Sequence, residues 1–133
     1  MYKNLYLKKG KEESLKRFHP WIFSGAVANI DDGVEEGEIV RVLTSSGDFI
    51  AVGMYQIGSI AVRVLSFRDV QIDADFWVAR LQSAWDMRTA IGLIGRQDNN
   101  MFRLVHGEGD NLPGLIIDCY GDTAVMQAHS VGM

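Results

Sequence analysis

Hydrophobic and polar residues alternate along several short stretches of this chain. Residues 4–8 alternate leucines with polar side chains, which is the two-residue period of a half-buried β-strand. Further strands are predicted at residues 38–43, 49–55 and 60–67, because turn-forming stretches separate these apolar runs. The strands are short, evenly spaced and rich in Val and Ile. This pattern predicts a small twisted barrel or sandwich, with a closed sheet that leaves no exposed edges.

A short amphipathic helix is predicted between the first two strands. Leu15 and Phe18 lie three positions apart within residues 11–18, and the cations of this stretch fall on the opposite face. Pro20 cannot continue the helix, and it biases His19 toward an extended backbone.

A longer helix is predicted to begin at Asp73 and Asp75, whose carboxylates suit the positive end of a helix. It runs to about Ile91, and Gly92 is placed to end it. Core packing is favoured over base stacking for its tryptophans. The predicted buried stripe consists of Trp77, Leu81 and Trp85 at four-residue spacing, widened by Phe76, Ala79, Met87 and Ala90.

Three antiparallel strands are predicted after this helix, at residues 101–106, 115–119 and 123–128. The predicted fold class is therefore mixed β and α+β. A small pseudo-barrel domain at residues 1–69 is followed by a helix-plus-antiparallel-strand domain at residues 73–133. The chain stops soon after a hydrophobic strand, so we expect the second domain to be incomplete and the chain to be the front part of a longer protein.

Positive charge is concentrated at the amino terminus of an acidic chain. The net charge of the 133 residues is −4, yet all five lysines and Arg17 lie in the first 17 residues. The first 19 residues carry six Lys or Arg and two Glu, whereas the remainder carries seven Arg and fifteen Asp or Glu. Ordinary solvated charge explains any single lysine, but the cluster as a whole favours a polyanionic partner, namely RNA.

The residues around this cluster are suited to binding nucleic acid. The cations can neutralise phosphates, and a serine and a glycine let an RNA backbone approach closely. The histidine and the tryptophan can offer flat faces to unstacked bases or pack against the fold, and packing is the favoured role of the tryptophan. The predicted RNA-binding residues are Lys8, Lys9, Lys11, Lys16, Arg17, His19, Trp21, Ser24 and Gly25.

Other classes of protein are disfavoured by composition. No apolar run approaches the roughly 20 residues that span a bilayer, and the amino terminus has no signal-peptide core. The single cysteine, Cys119, excludes an internal disulfide framework and fits a reducing compartment. Three scattered histidines offer no ligand spacing for zinc. We expect a soluble, cytoplasmic protein that binds no metal and no membrane.

No catalytic centre is predicted in these residues. The loop at residues 107–114 lacks the third glycine of a dinucleotide fingerprint and the helix that should follow, so a tight connection between antiparallel strands is favoured. Cys119 follows Asp118, whose charge raises rather than lowers the pKa of a thiol, so a half-buried strand residue is favoured over a nucleophile.

Two blocks of sequence resemble one family of enzymes. Residues 7–15 (LKKGKEESL) and 17–27 (RFHPWIFSGAV), and later residues 102–118 (FRLVHGEGDNLPGLIID), resemble S-adenosylmethionine (SAM)-dependent methyltransferases that modify C5 of a cytosine in large-subunit ribosomal RNA. The blocks occur in the family's order, and the similarity extends over essentially the whole chain. Cys119 stands where family members often carry arginine, and His106 lies at a variable position, so no catalytic role transfers to either.

The resemblance implies three domains in the full-length protein. An RNA-binding PUA domain corresponds to residues 1–69 and a mixed central domain to residues 73–133, whereas the Rossmann-like methyltransferase domain is absent from this chain. The family's glycine-rich cofactor turn and Asp-Pro-Pro catalytic loop are not present. SAM and the cysteine nucleophile that attacks the base are therefore expected to bind and act elsewhere in the full-length protein.

The leading hypothesis is an RNA-recruiting front end of a ribosomal RNA methyltransferase that is itself catalytically inert. The alternative is a free-standing PUA-type RNA-binding protein without enzymatic activity. A third possibility is a protein-interaction module whose working surfaces are the acidic loop at residues 31–38 and the tail.

Overall fold

The computed structural model describes all 133 residues and divides them into two compact units. The first unit covers Met1–Val70 with Gly132, and the second covers Gln71–Val131 with Met133. Neither helix of the chain has the length and apolar character that crossing a membrane requires.

The first unit is built on one six-stranded sheet. Its strands are β1 (Lys3–Leu7), β2 (Trp21–Phe23), β3 (Val27–Ile30), β4 (Ile39–Leu43), β5 (Phe49–Tyr55) and β6 (Ile60–Ser66). They lie in the order β2-β6-β5-β4-β1-β3, with β1 and β4 parallel and every other pair antiparallel. The order makes β2 and β3 the edge strands, so the prediction of a sheet without edges was wrong.

Irregularities in strand pairing curl this sheet into a half-barrel. The register shifts in all four of its antiparallel pairs, including between Val52 and Gly53, and such bulges bend a strand and increase its twist. A Cβ atom at residue 53 would lie 2.5 Å from the carbonyl oxygen of Arg63. Glycine at this position therefore allows β5 and β6 to approach closely at the bend.

The core of the first unit lies on the inner face of the half-barrel. Alternate residues of the strands point inward, so Leu5 and Leu7 of β1 are completely buried, as the two-residue period predicted. The cluster of buried side chains consists of Leu5, Leu7, Leu15, Ile22, Val40, Val42, Ala51, Val62 and Val64. One turn of helix, α1 (Glu13–Lys16), contributes Leu15 to it.

The second unit packs one helix on a three-stranded antiparallel sheet. Helix α2 (Ala74–Ala90) precedes strands β7 (Met101–His106), β8 (Leu115–Tyr120) and β9 (Thr123–Ala128), in the order β7-β8-β9. The predicted ends of α2 are confirmed. The side chain of Asp73 accepts a hydrogen bond from the Phe76 N–H at 2.9 Å, and Gly92 follows the helix with a φ of +79°.

The buried face of α2 differs from the predicted stripe. The side chains of Ala84 and Arg88 are buried, and Trp77 and Leu81 pack partly buried against Val105, Leu112 and Ile117. Trp85 is 43% exposed and contacts Phe102 only through a ring edge, so its assignment to the core was wrong. Ala79, Met87 and Ala90, which were predicted to widen the buried stripe, are also exposed, so their assignment to the core was wrong as well.

Candidate nucleic-acid interface

The amino-terminal cations lie on and around the single turn of α1. The helix is shorter than predicted and ends at Lys16, with Arg17 as its C-cap, after which Phe18 takes the left-handed conformation with a φ of +62°. The N–H of Phe18 donates to the Leu15 carbonyl at 2.9 Å, and the N–H of His19 donates to the Ser14 carbonyl at 3.1 Å. These two hydrogen bonds form a Schellman motif, which turns the chain sharply from α1 toward β2.

All five predicted cationic contacts carry exposed side chains. Lys16 lies 3.5 Å from Glu13 in an exposed ion pair, which solvent weakens. The four remaining cations, Lys8, Lys9, Lys11 and Arg17, form no ion pair. We call these five residues the basic segment. Its charges are available to phosphates.

Lys3, the remaining lysine, is engaged within the fold. Its ammonium group donates to the carbonyl of Gly33 and lies 3.5 Å from Glu38. A hydrogen bond from the Glu35 N–H lowers the pKa of Glu38; burial opposes this shift, and the charge of Lys3 adds to it. Lys3 therefore holds the acidic loop and does not belong to the basic segment.

Other carboxylates of the acidic loop also bind backbone groups. Asp31 accepts a hydrogen bond from the Asn4 N–H at 2.8 Å, and Glu36 accepts one from the Ile57 N–H at 3.0 Å. These contacts attach the loop to the sheet, and they use acceptors that a protein partner would otherwise bind.

Three aromatic rings lie together where the chain leaves α1 and enters β2. The ring centroids of His19, Trp21 and Phe23 are 6.1–6.4 Å apart. The Nδ1 atom of His19 lies 3.2 Å from both the N and the O of Trp21, which restrains the imidazole ring. Ile22 points into the core, so the residues on either side of it face away from the core.

Phe23 is the member of this cluster that the sequence prediction missed. Phe23 is 50% exposed. The sequence did contain a signal, because His19, Trp21 and Phe23 occupy every second position. A strand of three residues is too short for such a two-residue period to be recognised. Arg63 of β6 pairs with Trp21 in register, but its guanidinium donates to the Gln56 Oε1 at 2.8 Å.

Ser24 and Gly25 lie in a 3₁₀ turn directly after β2. The Ser24 N–H donates to the carbonyl of Ser59 at 2.8 Å, which fixes the start of the turn. A Cβ atom at Gly25 would meet no other atom within 4 Å, so the backbone here is open to a close approach. The structure thus brings the predicted RNA-binding residues to α1, to β2 and to the segments that flank them.

The second unit contains a buried ion pair between α2 and the loop after β7. Arg88 donates to both carboxylate oxygens of Asp110, and their side chains are only 7% and 5% exposed. Asp110 also accepts the His106 N–H at 2.6 Å. This carboxylate holds the 3₁₀ turn Gly107–Asp110, which joins β7 to β8 as an antiparallel connection, in agreement with the prediction.

Cys119 is not activated as a nucleophile. Burial raises the pKa of the Cys119 thiol, and the neighbouring charge of Asp118 raises it further. A thiol in this environment stays protonated near neutral pH, and the thiolate is the reactive form. The prediction of a partly buried strand residue is confirmed.

The apolar cavity of the second unit does not fit SAM. This cavity of about 360 Å³ is lined by apolar and aromatic side chains with no charged group: Trp77, Leu81, Leu112, Leu115, Met126, Ala128 and Met133. SAM carries a charged amino-acid part and an adenosine, which require polar partners. The loop that follows β7 does not suit SAM either. It leads into a strand rather than a helix, and the carboxylate of Asp110 is already bound by Arg88.

The first unit has a PUA-like fold. Residues 5–67 match the family model of the PUA-like domain, a range that contains all six strands except the start of β1. The predicted fold class is therefore confirmed, as a sheet-dominated chain with a PUA-like half-barrel followed by a helix and a small antiparallel sheet.

Curated relatives extend the similarity over both units. The chain is 42% identical over 130 residues to ribosomal RNA large subunit methyltransferase I of Erwinia tasmaniensis, with 96% of this chain and 32% of the relative covered. It is 40% identical over 134 residues to the protein of the same name from Aeromonas hydrophila, with 99% and 33% covered. The chain thus spans about a third of the length of the curated relatives it matches.

Solved structures show the same fold over both units. A Streptococcus mutans protein assigned to the SAM-dependent methyltransferases superposes with a TM-score of 0.81 at 20% identity, covering 99% of this chain and 34% of that one. A methyltransferase complexed with SAH also superposes with a TM-score of 0.81, at 19% identity, covering 99% and 33%. At this identity the likeness concerns the fold alone.

Proposed function

We propose that this chain is the RNA-recruiting amino-terminal third of a SAM-dependent methyltransferase that modifies C5 of a cytosine in large-subunit ribosomal RNA. The observation that carries the proposal is the 40–42% identity, over nearly the whole chain, to proteins named ribosomal RNA large subunit methyltransferase I. The PUA-like fold of residues 5–67 supports it.

The basic segment and the aromatic cluster are the RNA-binding surface in this proposal. Unpaired cations such as Lys8, Lys9 and Lys11 release counterions from the RNA when they bind phosphates, which supplies affinity without reading sequence. His19, Trp21 and Phe23 lie next to them along the chain and offer ring surface to bases. Cations and exposed rings together are typical of surfaces that bind RNA.

Methyl transfer is assigned to residues outside this chain. Neither the apolar cavity of the second unit nor the loop after β7 suits SAM, and the pKa of Cys119 is shifted away from the thiolate form. SAM would supply the methyl group in the full-length enzyme. The residues of this chain bind and position the RNA.

Salt-dependent RNA binding tests the recruiting role. A fragment of large-subunit ribosomal RNA is titrated with the 133-residue chain at several salt concentrations, with binding followed by fluorescence anisotropy. If about four cations contact phosphates, the logarithm of the affinity should fall with the logarithm of the salt concentration at a slope of roughly −3. A flat salt response, or no binding, contradicts the proposal and favours a protein partner.

Calorimetric titration with SAM tests the assignment of methyl transfer. We expect no binding heat from this chain, and tight uptake of SAM would overturn the assignment. The coding sequence supplies a second check. A reading frame that closes at codon 133 would leave a free-standing RNA-binding protein, whereas a frame that continues into a glycine-rich cofactor turn supports the enzyme.

A further inference from the structure

A cavity of about 340 Å³ opens between α1 and β2, beside the basic segment. Leu15 and Ile22 contribute buried apolar surface to it, and Trp21 and Phe23 contribute aromatic surface. Lys11 and Ser14 are the polar residues of its lining. The cavity lies at the lower end of the range of about 300–1,000 Å³ typical of small-molecule pockets, which suits one base with its ribose.

The two aromatic rings have a geometry that suits a planar guest. The planes of Trp21 and Phe23 are 89° apart and their centroids are 6.4 Å apart. A base that stacks parallel to one ring is therefore nearly perpendicular to the other ring. Aromatic groups favour both the stacked and the edge-to-face arrangement. His19, held by Trp21, extends this aromatic surface outside the cavity.

The positive charge around the cavity favours a nucleotide over an apolar peptide as its ligand. Lys11 lines the cavity itself, and the other cations of the basic segment lie on α1 or within a few residues of it. No carboxylate lines the cavity. An aromatic pocket beside unpaired cations matches a base that carries a phosphate, because the ring and the phosphate find partners at the same time.

We propose that this cavity binds one unpaired nucleotide, with the base against Trp21 and Phe23 and its phosphate near Lys11. The proposal rests on the proposed RNA-recruiting function and narrows it to RNA with at least one unstacked base at the contact. A continuous duplex would use the basic segment alone, because its bases stay stacked inside the helix.

Gly25 provides a variant that fills the cavity without disturbing the fold. It lines the cavity, its φ lies outside the left-handed region, and a Cβ atom there would meet nothing within 4 Å. Gly25→Leu should therefore fold and occupy the space of the base. Ala28→Leu is the matched control, since it adds apolar bulk at an exposed position of β3 that does not line the cavity.

The test compares three labelled RNAs of equal length: a single strand, a blunt duplex, and a single strand with abasic sites. We expect the chain to bind the single strand about tenfold more tightly than the abasic strand. Gly25→Leu should remove this preference. Ala28→Leu should retain the preference. The Trp21 indole N–H resonance should shift with the single strand and not with the duplex.

Two kinds of outcome would contradict the proposed nucleotide site, and they differ in what they imply for RNA recruitment. Equal affinity for the single and abasic strands, or a Gly25→Leu variant that retains the preference, would remove the cavity from the site while RNA recruitment by the basic segment still stands. Failure to bind any of the three RNAs would overturn both the cavity and the proposed function.

Discussion

The guanidinium of Arg88 on α2 binds the carboxylate of Asp110 at two points, with Nη2 2.9 Å from Oδ2. Its Nε donates to the Arg103 carbonyl of β7 at 3.0 Å, so one side chain ties the helix both to the sheet and to the loop that follows β7. Burial removes water from both charges, and each therefore depends on the other. Removing one partner leaves the other charge buried without compensation.

We expect Arg88→Met to destabilise the second unit by about 3–5 kcal/mol, because it leaves the buried carboxylate of Asp110 without its positive partner. Arg96→Met is the matched control. Its ion pair with Asp98 is exposed, so less than about 1 kcal/mol should be lost. Hydrogen exchange of β7 and β8 amides in the 133-residue chain measures both effects. Equal protection in the two variants would contradict the prediction.

The same pair should make stability depend on pH. Burial raises the pKa of Asp110, but the hydrogen bonds from Arg88 and from the His106 N–H and the charge of Arg88 outweigh burial, so this pKa lies below its ordinary value. A lowered pKa means that ionised Asp110 adds stability above the unfolded-state pKa of about 3.9, and the contribution is lost as the pH falls through the folded-state pKa. Urea unfolding of the wild type and of Asp110→Asn between pH 6 and pH 2 measures this, and the variant should lose less stability across the acid range.

Phe18 occupies the position after α1 at which helices commonly carry glycine. Its left-handed conformation costs a side-chain-bearing residue about 1–2 kcal/mol, and an edge-on contact with Phe67 at 5.2 Å partly offsets this cost. Phe18→Ala and Phe18→Gly both lose the ring contact, but only the glycine variant relieves the backbone. The glycine variant should therefore be more stable than the alanine variant by about 1 kcal/mol in urea unfolding. Equal stabilities would show that the left-handed backbone carries no strain.

The two tryptophans of α2 should respond differently to truncation. Trp77 packs partly buried against the core of the second unit, so Trp77→Ala should cost about 1–3 kcal/mol, less than for a fully buried ring. Trp85 is largely solvated, and Trp85→Ala should cost less than about 1 kcal/mol. Thermal unfolding of both variants, followed by hydrogen exchange in β7 and β8, tests the order. The reverse order would show that the buried face of α2 is wrongly assigned.

Charge reversal in the basic segment should weaken RNA binding without unfolding the first unit, because Lys8 and Lys16 are exposed. Lys8→Glu alone should lower the affinity several-fold and reduce the steepness of the salt slope by about 1, and adding Lys16→Glu should deepen both effects. Arg96→Glu makes the same charge change on the second unit and serves as the control. If the Lys8 variant and the control bind alike, the basic segment is not the contact surface.

Local chemistry in the sequence was enough to predict most of the regular structure. The bounds of β5, β7 and β9 agree with the prediction, because each is a run of apolar and β-branched residues between turn formers. The ends of α2 were also predictable from the sequence. Asp73 caps its first turn through its own side chain, and Gly92 adopts a backbone that few other residues favour.

The missed elements depend on contacts that are distant in sequence. Strand β2 has three residues and β3 has four, too few for a period to show, and pairing with β6 and β1 respectively defines them. The parallel pairing of β1 with β4 joins residues more than thirty positions apart. No local pattern encodes a hydrogen bond between such strands.

The sequence by itself determined where most of the strands and the longer helix lie and that the cations gather at one end, since both follow from neighbouring residues. Only the tertiary structure decided which face of α2 is buried. At about 100° per residue, a four-residue spacing drifts by roughly 40° at each step, so Trp85 leaves the stripe that Trp77 begins, whereas Ala84 and Arg88 stay on it. Arg88 could enter the core because Asp110, 22 positions further along the chain, neutralises it there, and only folding brings these two residues together.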